Sequence, residues 1–159
     1  MRIAVYGGSF NPLHTGHLAV MRSLAGEFDK VLLVVSPQNP LKSASDLSDS
    51  DRRLDDARSA VERHREELDG IVEVCDVEFH LPRPNYTVRT LERLKAMYPE
   101  DRISLVIGAD QIEDFRRWKE YERILGEFGV CVFPRKGYDL YGSCASLLLE
   151  NSASIWKGE

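Results

Sequence analysis

Five short apolar runs alternate with stretches of helical periodicity, and this alternation constrains the fold more than any other feature of the chain. The runs are Ile3–Tyr6, Val31–Val35, Ile71–Cys75, Ser104–Ile107 and Val130–Phe133. They are nearly continuous in β-branched and other apolar residues, the pattern of parallel strands buried on both faces. Between the first two runs, Leu18, Met21, Leu24, Ala25 and Phe28 recur at helical spacing, which predicts a helix from about Gly16 to Phe28. A second is predicted over about Ser50–Leu68, with Leu54, Ala57, Val61 and Leu68 on one side and charge on the other. Ser48 or Asp49 is the expected cap of its start. A third covers about Val88–Met97. A fourth segment, about Ile112–Phe128, reads as two helices broken near Trp118. Strand and helix alternate throughout, so the expected fold class is α/β: a doubly wound parallel sheet of about five strands with helices on both faces.

Composition sets the outer limits. A length of 159 residues predicts one domain, residues 1–159. The longest purely apolar run, Val31–Val35, is far below the ~20 residues of a membrane helix, so no membrane partner is expected. The 26 acidic and 21 basic residues leave a net charge of −5. That balance argues against a nucleic-acid polymer as partner, because phosphate neutralisation supplies most of such affinity; a local cluster of donors still suits a small anion. Cys75, Cys131 and Cys144 are an odd count without C-x-x-C spacing, which argues against a disulfide framework and a zinc ribbon and fits a reducing, cytoplasmic location.

In sheets of this kind ligands bind outside the carboxyl ends of the strands, which directs attention to residues 7–17, 36–43, 80–87, 108–110 and 134–138. The first of these reads Gly7-Gly8-Ser9-Phe10-Asn11-Pro12-Leu13-His14-Thr15-Gly16-His17. It is neither a G-x-G-x-x-G fingerprint nor a Walker A loop. Its glycines allow close backbone approach to a ligand, and His17 falls in the first helical turn, where backbone N–H groups attract anions. His14 and His17, three apart, are able to serve one site as donors to phosphate oxygens. A metal is not expected, since no third ligand has a recognisable spacing. The plainer alternative is that one histidine caps the helix and the other is exposed; spacing alone leaves both readings open.

The segment Gly7–His17 resembles the G-G-[ST]-F-[DN]-P-x-H-x-G-H signature of the H-x-G-H nucleotidyltransferase superfamily, matching every defined position. The resemblance implies a Rossmann-like fold and transfer of a nucleoside monophosphate from a triphosphate to a phosphate monoester, with release of pyrophosphate. Later segments resemble the nicotinate mononucleotide adenylyltransferase family over nearly the whole chain. Residues 37–42, Pro-Gln-Asn-Pro-Leu-Lys, are similar to its proline-containing loop with a substrate-facing lysine. Residues 85–91 are similar to its S-Y-T-x-x-T-L segment, Ile107-Gly108-Ala109-Asp110 with Trp118 to its I-G-x-D…W pattern, and Arg135-Lys136-Gly137-Tyr138 to its R-x-G-Y turn.

That family implies transfer of AMP from ATP to nicotinate mononucleotide, giving deamido-NAD. Carried over position by position, His14 and His17 are catalytic, and Gly8, Ser9, Phe10, Gly16, Gly108, Asp110 and Arg135 bind ATP. Lys42, Tyr86, Thr87 and Trp118 bind the mononucleotide, and Mg2+ arrives on ATP. Each has a plainer alternative: Trp118 as a core residue, Lys42 as a solvated lysine, Thr87 or Asp110 as a helix cap. Asn151–Lys157 is similar to the superfamily's C-terminal I-S-[SA]-[ST]-x-[IV]-R motif, with Ser152, Ser154 and Lys157 as phosphate ligands. Asn151 replaces the apolar residue, and Lys157 replaces the arginine and loses its bidentate fork. With Glu159 following so closely, the expectation is a domain lacking the family's C-terminal helices, whose uncovered apolar surface favours a homo-oligomer. Two alternatives follow: a pantetheine-phosphate adenylyltransferase, and a catalytically impaired nucleotide-binding protein.

Overall fold

The computed structural model describes residues 1–37 and 46–134. Five strands form one sheet: β1 (Arg2–Gly8), β2 (Lys30–Val35), β3 (Val72–Cys75), β4 (Arg102–Gly108) and β5 (Val130–Phe133). Their spatial order is β3-β2-β1-β4-β5, and every pairing is parallel. The chain runs outward from β1 through β2 to β3, then returns to lay β4 on the other side of β1. The order of strand addition therefore reverses between β1 and β4, and a crevice opens at their carboxyl ends.

Parallel neighbours require crossovers, and the helices supply them. On one face α1 (Thr15–Ala25) and α2 (Asp46–Arg63) cover the sheet. Here Leu18, Met21 and Leu24 of α1 and Leu54 and Ala57 of α2 meet Ala4, Tyr6, Val31, Leu33 and Val35. The opposite face carries α3 (Thr87–Met97), α4 (Ile112–Phe115) and α5 (Tyr121–Arg123), the last running on into a π-helical turn over Ile124–Phe128. There Val88, Leu91 and Leu94 join Phe115, Ile124 and Leu125 against Ile3, Val5, Leu32, Val34, Ile103, Leu105 and Ile107. Successive strand residues enter opposite cores because side chains alternate across a sheet. Both faces are thereby buried, and the strands read as unbroken apolar runs.

The structure shifts some of these expectations and bears out others. The helix expected from about Ser50 is α2, which starts at Asp46 and ends at Arg63, so Ser48 and Asp49 lie inside it and do not cap it. Leu68 is fully buried as its apolar signal predicts, but in the turns after α2, just before Gly70 takes a positive φ of 68°. The break near Trp118 is present: α4 stops at Phe115, and Glu120 enters the left-handed region at φ 52° before α5 begins. Of the two cysteines expected in buried strands, Cys131 is buried and Cys75 half-buried.

Candidate active site

The loop from β1 to α1 carries both motif histidines, and the sequence specifies its shape locally. His14 is the N-cap of α1, with extended backbone. Its Nδ1 accepts the Gly16 N–H at 3.0 Å, while His17 Nδ1 accepts the His14 N–H, also at 3.0 Å. This is a reciprocal capping box, with imidazoles in place of the usual hydroxyl and carboxylate. The two rings stack, centroids 3.7 Å apart. Both histidines therefore cap the helix, where the plainer reading gave only one of them that task.

The cap has a chemical consequence. A ring nitrogen that accepts a hydrogen bond carries no proton, so in each neutral imidazole the proton sits on Nε2. The helix start thus favours the same tautomer in both rings. Gly16 is required for this packing: a Cβ there would lie 2.9 Å from His14 Cε1. Phe10, buried with φ 48°, braces His17 edge-on at 5.0 Å. A Cβ on Gly8 would press its ring at 3.3 Å.

Beside this loop lies a cleft of about 260 Å³ at the carboxyl ends of β1, β2 and β4. Gly7, Gly8, Thr87 and Trp118 line it, and Ser36, Glu78, Asn85 and Gln111 add polar atoms. Trp118 is half-buried, packs on Phe115 with centroids 5.1 Å apart, and still lines the cleft, so it is core and wall at once. Thr87 is the first residue of α3, not its cap; Tyr86 holds the cap position without a side-chain bond. Tyr86 itself is 41% exposed and lines a neighbouring hollow, with Lys119 Nζ 4.5 Å above its ring. The structure thus joins Thr87 and Trp118 in one cleft and sets Tyr86 beside it. Asp110 is exposed in the 3-10 turn Ala109–Gln111 that follows β4. The Gly108 N–H at the start of that turn donates to Gln111 Oε1 at 3.0 Å. Lys42, Arg135, Ser152, Ser154 and Lys157 lie outside the described residues.

Two residues that sequence reasoning missed stand out. Arg53 of α2 is 6% exposed and donates to three carbonyls: Ser9 O at 2.7 Å, Ser36 O at 2.9 Å and Pro37 O at 2.7 Å. Glu78, in the 3-10 turn Val77–His80 after β3, accepts from Ser36 Oγ at 3.0 Å and Thr90 Oγ1 at 2.9 Å. Burial pushes its carboxyl above the ordinary range, and the two hydroxyls pull it part-way back. Arg53 reads in sequence as one charge among many on a solvated helix face, and Glu78 precedes the loop window drawn after β3. Burial also pushes the Cys75 and Cys131 thiols up, which leaves them poor nucleophiles. Among the described residues, no three His, Cys, Asp or Glu side chains converge to hold a metal.

Comparison with known proteins fits this geometry. A family model described as cytidylyltransferase-like matches residues 5–156. A Bacteroides fragilis protein described as a probable nicotinate-nucleotide adenylyltransferase is 43% identical over 142 residues, covering 87% of this chain and 68% of its own length. The chain belongs to the nicotinate-nucleotide adenylyltransferase family. A Flavobacterium johnsoniae protein of the same description is 39% identical over 137 residues, or 85% of this chain and 68% of that protein. Among solved structures, the Plasmodium falciparum nicotinic acid mononucleotide adenylyltransferase complexed with NaAD superposes with a TM-score of 0.79. It is 18% identical and covers 98% of this chain and 73% of its own, which establishes the shared fold. For this adenylyltransferase-family chain, the capping histidines and the cleft are the candidate machinery. No helix among its described residues is long and apolar enough to cross a membrane.

Proposed function

We propose that this chain transfers AMP from ATP to nicotinate mononucleotide, yielding deamido-NAD and pyrophosphate. An oxygen of the mononucleotide phosphate attacks the α-phosphorus of ATP in line. A new P–O bond forms, the bond from the α-phosphorus to the β-phosphate oxygen breaks, and pyrophosphate leaves with that electron pair. The nucleophile is already ionised, so the protein needs no base and no covalent intermediate. Its task is positioning and stabilising charge that builds on phosphate oxygens. The observation that supports the reading is the reciprocal histidine box at the start of α1, which fixes both Nδ1 atoms on backbone N–H groups and stacks the two rings side by side.

In this reading His14 and His17 donate to the ATP phosphates, with Gly8, Ser9, Phe10 and Gly16 shaping the loop around them. Gly108 and Asp110 take the nucleotide's ribose side, and Arg135, Ser152, Ser154 and Lys157 hold the outer phosphates. Trp118 offers a flat face to the pyridine ring, Thr87 and its neighbouring backbone meet the carboxylate, Tyr86 closes the side, and Lys42 pairs with the mononucleotide phosphate. Mg2+ arrives as part of the substrate, held by ATP's own phosphate oxygens. ATP supply and the free thiols of Cys75 and Cys131 fit a cytoplasmic enzyme.

The test is pyrophosphate release with ATP and, in turn, nicotinate mononucleotide, nicotinamide mononucleotide and phosphopantetheine. Turnover is expected to be highest with nicotinate mononucleotide. Preference for phosphopantetheine, or ATP binding without pyrophosphate release, overturns the reading.

A further inference from the structure

The two residues that the reaction chemistry does not use, Arg53 and Glu78, share a partner. Arg53 Nη1 donates to Ser9 O in the phosphate loop and to Ser36 O at the end of β2. Ser36 Oγ donates to Glu78 Oε1, and the second carboxylate oxygen accepts from Thr90 Oγ1 on α3. Asp49 faces the guanidinium at 3.3 Å, and the Ser36 N–H donates to Gly8 O at 2.9 Å. An unbroken polar chain thus crosses the carboxyl edge of the sheet, from the loop before His14 to the helix that begins with Thr87.

We propose that Ser9, Arg53, Ser36, Glu78 and Thr90 form a strap that sets the phosphate loop at a fixed distance from the pyridine-side wall, making Arg53 and Glu78 positioning residues for the transfer. The proposal rests on the adenylyl-transfer reading, because an in-line attack between two bound substrates is what such spacing serves. Arg53 suits the role: its planar fork reaches three carbonyls at once, which a lysine's single ammonium cannot reproduce. A buried carboxylate is costly unless fully bonded, and here each oxygen has its hydroxyl.

Arg53→Lys, Glu78→Leu and Ser36→Ala are compared with Glu78→Gln, whose amide keeps one acceptor and adds one donor for the two hydroxyls. Misplacing reacting groups by ~1 Å costs about 10²-fold in rate. Each cut in the strap should therefore lower kcat on that order while leaving both KM values within about threefold. Glu78→Gln restores most of the rate. Arg53→Lys combined with Glu78→Leu should lose much less than the product of the single losses, because both break one chain. Amide hydrogen exchange gives a readout independent of turnover: Ser36→Ala and Glu78→Leu should speed exchange in residues 7–17, to which the Glu78 side chain makes no hydrogen bond among those described. Unchanged exchange there, multiplying penalties, or full turnover in Glu78→Leu overturns the strap. An inert wild-type protein overturns the adenylyl-transfer reading instead, and the exchange experiment still decides the strap.

Discussion

His17 has one task seen in the structure and a second proposed for it, and substitution can divide them. Its Nδ1 accepts the His14 N–H at 3.0 Å and completes the cap of α1; its Nε2–H is assigned to the ATP phosphates. His17→Ala removes both. Loss of a cap acceptor costs about 1 kcal/mol, which in a domain of this size lowers Tm by roughly 2–4 °C. Loss of a donor aimed at developing charge costs about 10²–10³ in kcat. His17→Gln is the informative variant. Glutamine is a natural residue at the third helical position of a capping box, so its side-chain oxygen can take over the bond from His14 N–H. It cannot place an imidazole N–H at the same point. Thermal melts should therefore separate the variants, with Gln close to wild type and Ala below it. Pyrophosphate release should not separate them, since both lose the phosphate donor. Wild-type turnover in His17→Gln would remove the imidazole from the mechanism, and equal destabilisation of the two variants would remove the capping account.

Trp118→Ala should raise KM for the mononucleotide by about tenfold, the equivalent of one aromatic stacking contact, with KM for ATP little changed; steady-state kinetics with each substrate varied checks this. Burial holds the Glu78 carboxyl above its ordinary 4.5, so over that window the folded chain binds more protons than the unfolded one. The group's contribution to stability is full below the unfolded value and is lost as pH rises through the folded value. Melts of wild type and Glu78→Gln from pH 4 upward should accordingly show the difference moving in favour of the glutamine variant, and a pH-independent difference would contradict the burial. Chelating Mg2+ should abolish turnover without shifting the melt of the nucleotide-free protein, since the cation is assigned to ATP.

The strands were legible because burial on both faces leaves a plain mark: Val130–Phe133 has the same bounds in sequence and structure. The start of α2 was not, since its first turn, from Asp46, carries almost no apolar residues to set a period. Leu68 shows the opposite case, with an apolar position correctly read as buried but attached to turn backbone. At the site, Gly7–His17 was visible as a motif, yet the tautomer it enforces emerges only from the geometry in which each Nδ1 meets a backbone N–H. Arg53 and Glu78 were invisible for a physical reason. A charge on an amphipathic helix or beside a short strand reads as solvated unless its partners are known, and their common partner Ser36 lies 17 residues from Arg53 and 42 from Glu78. Tyr86 and Thr87 are adjacent in sequence, but the entry into α3 turns Thr87 into the cleft and Tyr86 toward Lys119.

In the proposed reaction the adenylyl group of ATP ends on the mononucleotide phosphate. Incubation of the protein with ATP labelled at the α-phosphorus, Mg2+ and nicotinate mononucleotide, followed by chromatographic separation of the products, tests it directly. The label should appear in deamido-NAD, with one unlabelled pyrophosphate formed per labelled product. Label remaining in ATP, or appearing in free AMP with or without the mononucleotide, would contradict it.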